Sequence, residues 1–536
     1  MDGETLADRV VGVSQRPQAR LLGAVPLVLP ILEGLGLCTT VNRLRPSKAL
    51  VDLGRLALVL ALNRLVSPRP LSGVGAWAGQ ETVVGDLVNL SGEQLYDMRL
   101  GRALDALVPV LGALWTELAA RAIRQEGVDL AVLHWDLTSC YFEGADEASD
   151  LARYGYSRDK RPDTKQVNLG INVTSREHVP VQYRVLAGNT ADCTTPVANI
   201  EALVAFLGRA DLGIGTVRPL IVSDSKMVTD EAVLACHRHG LTYLGPVPSG
   251  QKQTTALIAS VSDGELQANI LAYRPRRKAP TSRPFVPYRG VWRTISFTHD
   301  GQTVTDRGLV VWSAAKERLD VDKRKTLLKR ILNGLSSVQT HLNQRQYRRR
   351  EYVLHRLAQV CTGTTAALVD VDLSGEDGVL QLHFAINRPA LQAAQTRDGK
   401  YVLATNAPQL TADAALATFK EQDGIEKAMA LLKGPLRVRP FFVQTDARIQ
   451  ALVFFNLVAL LVRAILGMRL HRAGLGLSVE RALAAFASLQ VVEVGFADGS
   501  TLRQVAELSV TQHQLLAGLR LPAAERYQTS ISLALR

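Results

Sequence analysis

Near residue 128 the spacing of apolar residues changes, and with it the kind of structure the chain can form. Upstream, LVDLGRLALVLALNRLV (50–66) and MRLGRALDALVPVLGALWTELAARAIRQ (98–125) repeat apolar positions at three and four, the spacing of one helix face. Downstream, apolar residues fall in short runs: AVLHWDLTSCYF, QVNLGINVT, VPVQYRVLAG, RPLIVSDSK and LTYLGPVP. Helices are predicted over TTPVANIEALVAFLGRA, between the third and fourth runs, and over VTDEAVLACHRHG, after the fourth. Three strands, helix, strand, helix, strand is the order of a mixed α/β sheet whose later strands are joined by helical crossovers.

After about residue 249 this order breaks. YRPRRKAPTSRPFVPYRG is rich in Pro and Arg, and VWRTISFTH, QTVTDRGLVVWS, GVLQLHFAIN and KYVLATN then read as antiparallel strands, with a basic helix from about 316 to 346 among them. The organisation expected is a helical region over 1–128, the first part of an α/β core over 129–248, a β-rich insertion over 249–404, the final core helices over 405–470 and a helical region over 471–536. Trp292 and Trp312 are expected to fill the core of the insertion, the alternative being stacking on an extruded base. The longest apolar run, ALVFFNLVALLV (451–462), is shorter than the ~20 residues that span a bilayer and holds Asn456, so it reads as a buried helix and no membrane partner is expected.

Two core strands end in an aspartate, Asp136 in LHWDLTS and Asp224 in IVSDSKM. An ionised carboxylate after an apolar run costs several kcal/mol unless it is paired, capping a turn or bound to a metal. On neighbouring strands the two could share one sheet edge, where a third acid would complete an oxygen cage for Mg²⁺. Glu426 in FKEQDGIEKAMALLKGPLRVRP is the third candidate; on a helix it shares a face with Met429 and Lys433. Other metal and nucleotide chemistry has little support. The five cysteines form no CxxC pair, which fits a reducing cytoplasm, and Cys236, His237 and His239 diverge on a helix. There is no GxxxxGK[ST] or HExxH, and MDGETLADR lacks the basic-then-apolar pattern of a secretory signal.

The stretches DLTSCYFEG, GYSRDKRPDTKQVNLGINV, VLAGNTAD, IVSDSKMV, DGKYVLATN and IEKAMALLKGPLRVRP, in this order and spacing, resemble DDE transposases of bacterial insertion sequences. The group resembled has an RNase H-like core, a β-strand insertion before the last catalytic helix and a YREK signature; the likeness runs from roughly 130 to 465. The segment LALVLALNRLVSPRPLSGVGAW is also similar to the helical, DNA-binding leader of such proteins.

The resemblance implies that Asp136, Asp224 and Glu426 are catalytic and bind Mg²⁺ or Mn²⁺, two ions being expected. Water, and then a DNA 3′-hydroxyl, would attack phosphorus, so no protein nucleophile is required. The signature places its Tyr and Arg where this chain has Phe419 and Gln422, and Ser225 and Lys226 are also unusual after the second aspartate.

An excess of 62 Lys and Arg over 50 Asp and Glu fits a polyanionic partner, here the double-stranded DNA of transposon ends and target. Arg158, Lys160, Arg161 and Lys165, leading into the second strand, are expected to face the DNA backbone, with polar help from Gln166 and Asn168. Lys433, Arg437 and Arg439 are expected to hold phosphates from the last catalytic helix or just after it. A homodimer on DNA, cytoplasmic and nucleoid-associated, is the expected state. The alternatives are a catalytically silent, transposase-derived DNA-binding protein and an RNase H-like nuclease that cuts without joining.

Overall fold

The computed structural model describes residues 17–142, 149–157, 161–209, 217–224, 227–275, 285–363, 366–436, 443–496 and 501–528. The chain divides into two compact units, Met1–Val222 with Glu421–Arg536, and Ser223–Lys420. The first unit opens with strand β1 (Gln18–Leu21) and helices α1 (Val25–Leu35), α2 (Leu37–Leu44), α3 (Leu53–Val66), α4 (Asp97–Leu107) and α5 (Leu111–Glu126). Strands β2 (Val132–Tyr141), β3 (Gln166–Thr174) and β4 (Pro180–Ala187) follow, then helix α6 (Pro196–Leu207) and strand β5 (Leu220–Ser223). β3 pairs antiparallel with both β2 and β4, and the spatial order is β4-β3-β2-β5. The predicted mixed α/β order is thus present, with α6 leading from β4 to β5.

Every residue of β3 is buried, its two asparagines included. Burial of an amide is tolerated only when it is hydrogen-bonded. Asn172 Nδ2 donates to Gln182 Oε1 and Asn199 Oδ1, both at 2.8 Å, tying β3 to β4 and α6.

In the second unit come helix α7 (Asp230–Arg238), strands β6 (Thr242–Pro246), β7 (Arg289–His299) and β8 (Gln302–Trp312), and helices α8 (Ala314–His341) and α9 (Arg350–Val360). Strands β9 (Val369–Ser374), β10 (Gln381–Ile386) and β11 (Lys400–Thr405), then helix α10 (Ala412–Lys420), complete it. Its strands run β6-β11-β8-β7 with antiparallel pairing, and β9 pairs with β10 alone. Asp300 and Gly301 join β7 to β8 with positive φ at both positions, as a two-residue hairpin turn demands. Helices α8 and α9 and the β9–β10 hairpin enclose an apolar cluster that includes Ile331, Leu335, Val353, Leu357, Leu373 and Leu382.

This unit is wider than the insertion expected over 249–404. Strand β6 lies before residue 249, yet it is hydrogen-bonded to β11 and so belongs with it. Nor do Trp292 and Trp312 fill a core: both are half-buried, under the guanidinium groups of Arg307 (3.9 Å) and Arg289 (4.5 Å) respectively. In the basic stretch QYRRRE (346–351), Arg348 and Arg350 donate to the carbonyls of Asn343, Leu373 and Gly375.

A buried carboxylate ties three elements of this unit. Asp306 on β8, 6% exposed, accepts from the Tyr243 hydroxyl at 2.7 Å and meets His237 Nε2 at 2.9 Å. Burial first, and then the Asp306 charge, push the Tyr243 phenol far up, so it remains a donor. Asp306→Ala leaves that hydroxyl buried without an acceptor and is expected to lower the unfolding free energy by about 2 kcal/mol in chemical denaturation. Asp306→Asn, which still accepts, should lose less; equal losses would remove the hydrogen bonds as the cause.

The chain then returns to the first unit through helices α11 (Asp423–Lys433), α12 (Asp446–Arg472) and α13 (Val479–Phe486), strands β12 (Gln490–Gly495) and β13 (Thr501–Val505), and helix α14 (Val510–Gly518). The twelve-residue apolar run is the middle of α12, a 27-residue helix. By length and composition α12 could cross a membrane, as could the stretches Val25–Leu44 and Asp97–Glu126, but 89% of its most apolar window is buried inside the protein. Being apolar all round, it packs against α1, α3, α4, α5 and β4 as the core helix of its unit. Trp115 on α5 meets Phe454 of α12 and Tyr183 of β4 edge-on.

The region after 471 is not wholly helical as expected. VVEVG alternates and pairs with β1, giving a sheet of order β1-β12-β13. Across it, Arg20 and Arg503 both pair with Asp86 and Glu493.

Candidate active site

β2 and α11, both in the first unit, carry the first and last predicted carboxylates and pack on each other. Asp136 is half-buried, opposite Ile171 of β3, with Oδ1 accepting the Leu137 backbone N–H at 2.7 Å. Glu426 is exposed on the second turn of α11. Asp224 belongs to the second unit; it directly follows β5 and is half-buried. Among the described residues, no three Asp, Glu, His or Cys side chains are gathered closely enough to hold an ion. Asp136 and Glu426 supply the hard oxygen donors that Mg²⁺ or Mn²⁺ takes, on two elements in contact.

What seats α11 on the sheet is a histidine network that the sequence reading missed. His134 lies two residues before Asp136, on the same face of β2, and is fully buried. Its Nε2 stands 3.2 Å from Ser175 Oγ, and that hydroxyl donates to Glu421 Oε2 at 2.8 Å, just ahead of α11. The serine proton goes to the carboxylate, so Nε2–H is the donor to Oγ, and Nδ1 has no partner. Burial, and secondarily the charge of nearby His178, lower the His134 pKa to about 4. His178, at φ +57° in the β3–β4 turn, packs on Gly424, where a Cβ would stand 2.3 Å from the imidazole Cε1. A larger residue two positions before Glu426 would therefore have to displace the His178 ring. The available signal was the period-2 spacing of His134 and Asp136.

Of the predicted DNA contacts, Arg158, Lys160, Arg437 and Arg439 lie outside the described residues. Arg161 is half-buried; its guanidinium lies 5.1 Å from the centre of the Tyr141 ring and pairs with exposed Asp163 at 3.1 Å. That bond holds the Asp163 carboxyl below its ordinary range. Lys165 and Lys433 are half-buried. Gln166 and Asn168 do not project as expected: both are buried, and their amides donate to the carbonyls of Tyr156, Gly188 and Thr190.

Phe419 and Glu426 stand on separate helices, because the chain turns at Glu421 and Gln422 between α10 and α11. Phe419 and Lys420 belong to the second unit, where Phe419 lies 6.3 Å from Tyr401 and the Lys420 ammonium sits over both rings. Burial lowers the Lys420 pKa. Gln422, half-buried, is the residue before α11, so one helical face does not carry the whole signature.

No protein-family model and no curated protein matches the chain. Among solved structures it is similar to the cryo-EM structure of a piggyBac transposase synaptic complex with hairpin DNA, with 10% identity and a TM-score of 0.38 over 94% of this chain and 82% of that one. A likeness at that score fixes neither fold nor activity.

Proposed function

We propose that the chain is a DNA transposase of the DDE type, with an RNase H-like core, resembling those of bacterial insertion sequences. It cleaves transposon ends and transfers them into target DNA, acting as a cytoplasmic homodimer on double-stranded DNA. The observation that carries this reading is the packing of α11, with Glu426, against β2, with Asp136. The strand order β4-β3-β2-β5, with a helix before the fourth strand, supports the RNase H-like core.

Mg²⁺ or Mn²⁺ would be held by Asp136, Asp224 and Glu426, and when bound would supply charge stabilisation at the reacting phosphate. The chain's own residues do the rest. Arg161, Lys165 and Lys433 hold backbone phosphates, while His134, Ser175 and Glu421 fix the start of α11 relative to β2. The deciding experiment is cleavage of a plasmid carrying the sequences that flank the gene, with and without divalent cation; absence of cutting in every cation would reject the activity.

The second reading, a catalytically silent DNA-binding protein, is favoured by Phe419 and Gln422, which stand where the resembled signature has Tyr and Arg. It shares the DNA-binding prediction. Lys433→Ala should reduce the log–log salt slope of DNA binding by about 0.9, the value for one phosphate contact. An unchanged slope would assign Lys433 to the fold alone.

A further inference from the structure

A cavity of about 510 Å³ opens in the first unit between the α2–α3 connection and α4, within the size range of ligand pockets. Its wall is apolar, formed in part by buried Leu53, Leu56 and Ala103, and its rim is cationic, with Arg45, Lys48, Arg99 and Arg102. No carboxylate lines it. Among the described residues these four cations have no acidic partner: Arg99 donates to the Gln94 carbonyl and Arg102 contacts the Met98 sulfur. Two nearby acids are engaged elsewhere. Asp52 takes the Asn42 amide and the Arg55 N–H, and Asp105 pairs with Arg448 at 2.9 Å. Tyr96, 41% exposed, lines the cavity under the Arg99 guanidinium at 4.9 Å, and Leu50 in the connection is 96% exposed.

We propose that this cavity binds a single unstacked nucleotide, its base against the apolar wall and Tyr96, its phosphate on the cationic rim. Unpaired cations on a concave surface favour a polyanion, and an aromatic ring beside an apolar wall favours a flat base; a nucleotide has both parts. In an intact duplex the base is stacked and would have to be extruded at a cost of a few kcal/mol, so the site prefers single strands and frayed ends. The proposal is independent of the carboxylates, and its test needs no cleavage.

The test measures anisotropy of a labelled oligothymidylate and of a blunt duplex with the full chain across a salt series. Tyr96→Ala should weaken single-strand binding about tenfold, whereas Tyr96→Phe should keep it. Lys48→Ala with Arg102→Ala should reduce the single-strand salt slope by about 1.4, two contacts at roughly 0.7 each. Competition by thymidine monophosphate assigns the site to free nucleotides, and failure to compete at a large excess assigns it to a strand; either outcome keeps its chemistry. Wild-type single-strand binding by these variants would overturn the proposal. So would equal losses on the blunt duplex, which mark a general phosphate surface. The changes lie at exposed positions, and unchanged thermal unfolding excludes misfolding as the cause.

Discussion

Asp136→Asn, Asp224→Asn and Glu426→Gln are each expected to reduce cleavage of cognate DNA ends by roughly a thousandfold or more, with DNA binding nearly unchanged. Stabilisation of charge at a reacting phosphate is worth several kcal/mol, and each 1.36 kcal/mol is tenfold in rate. The amide keeps the side chain's size but loses the negative charge that would hold a cation. Binding is expected to survive because the proposed phosphate contacts come from separate cations, Arg161, Lys165 and Lys433. The measurement pairs single-turnover cleavage with a gel-shift titration of the same preparations. A variant that cuts at the wild-type rate removes that residue from the site, and one that loses binding and cleavage together marks a folding defect.

Acid should destabilise the first unit through His134. This histidine titrates near 4 when folded and near 6.5 in an unfolded chain. Between those values the unfolded chain binds a proton that the folded one does not, so stability is full above about pH 6.5 and falls as pH drops toward 4. The difference amounts to about 3 kcal/mol, at 1.36 kcal/mol per unit. Denaturant titrations of wild type and His134→Gln from pH 7.5 to 4 should differ in slope by up to one proton. Glutamine can still donate to Ser175 but cannot titrate. Parallel curves would show that burial of this imidazole does not govern the acid response. A companion loss of cleavage below pH 6 in wild type alone would connect the seating of α11 to activity.

Strands β2 and β3 were legible because their sequences are locally consistent: alternating or continuous apolar residues bounded by turn formers. The quoted run QVNLGINVT is β3 from first residue to last. β1 was not legible, since QARL is four residues long and acquires its ladder from β12, more than 460 residues later. The length of α12 was hidden by polar residues within it. Arg463 is buried against Glu480 at 2.6 Å and Asn456 donates to the Leu452 carbonyl, so neither ends the helix. At the site, an expected strand-end position singled out Asp136, which instead stands in the middle of β2, and nothing local indicates that Ser175 and Glu421 meet across 246 residues. The cationic cavity escaped for the same reason, its charges coming from two segments that are separately ordinary.

The division of the chain also has a consequence in time. Residues 223–420 form a contiguous unit, whereas the other unit is interrupted by it and needs its returning segment for α11, α12 and the partners of β1. Asp136 emerges from the ribosome 290 residues before Glu426, roughly 15–60 s earlier at bacterial or eukaryotic synthesis rates of about 5–20 residues per second. Throughout that interval β2 lacks the helix that covers it, and the second unit, which ends at Lys420, is complete only at the close of it. A nascent polypeptide therefore carries half of the carboxylate pair but cannot yet join it to the other half, and a product halted before residue 421 is expected to be inert toward DNA cleavage.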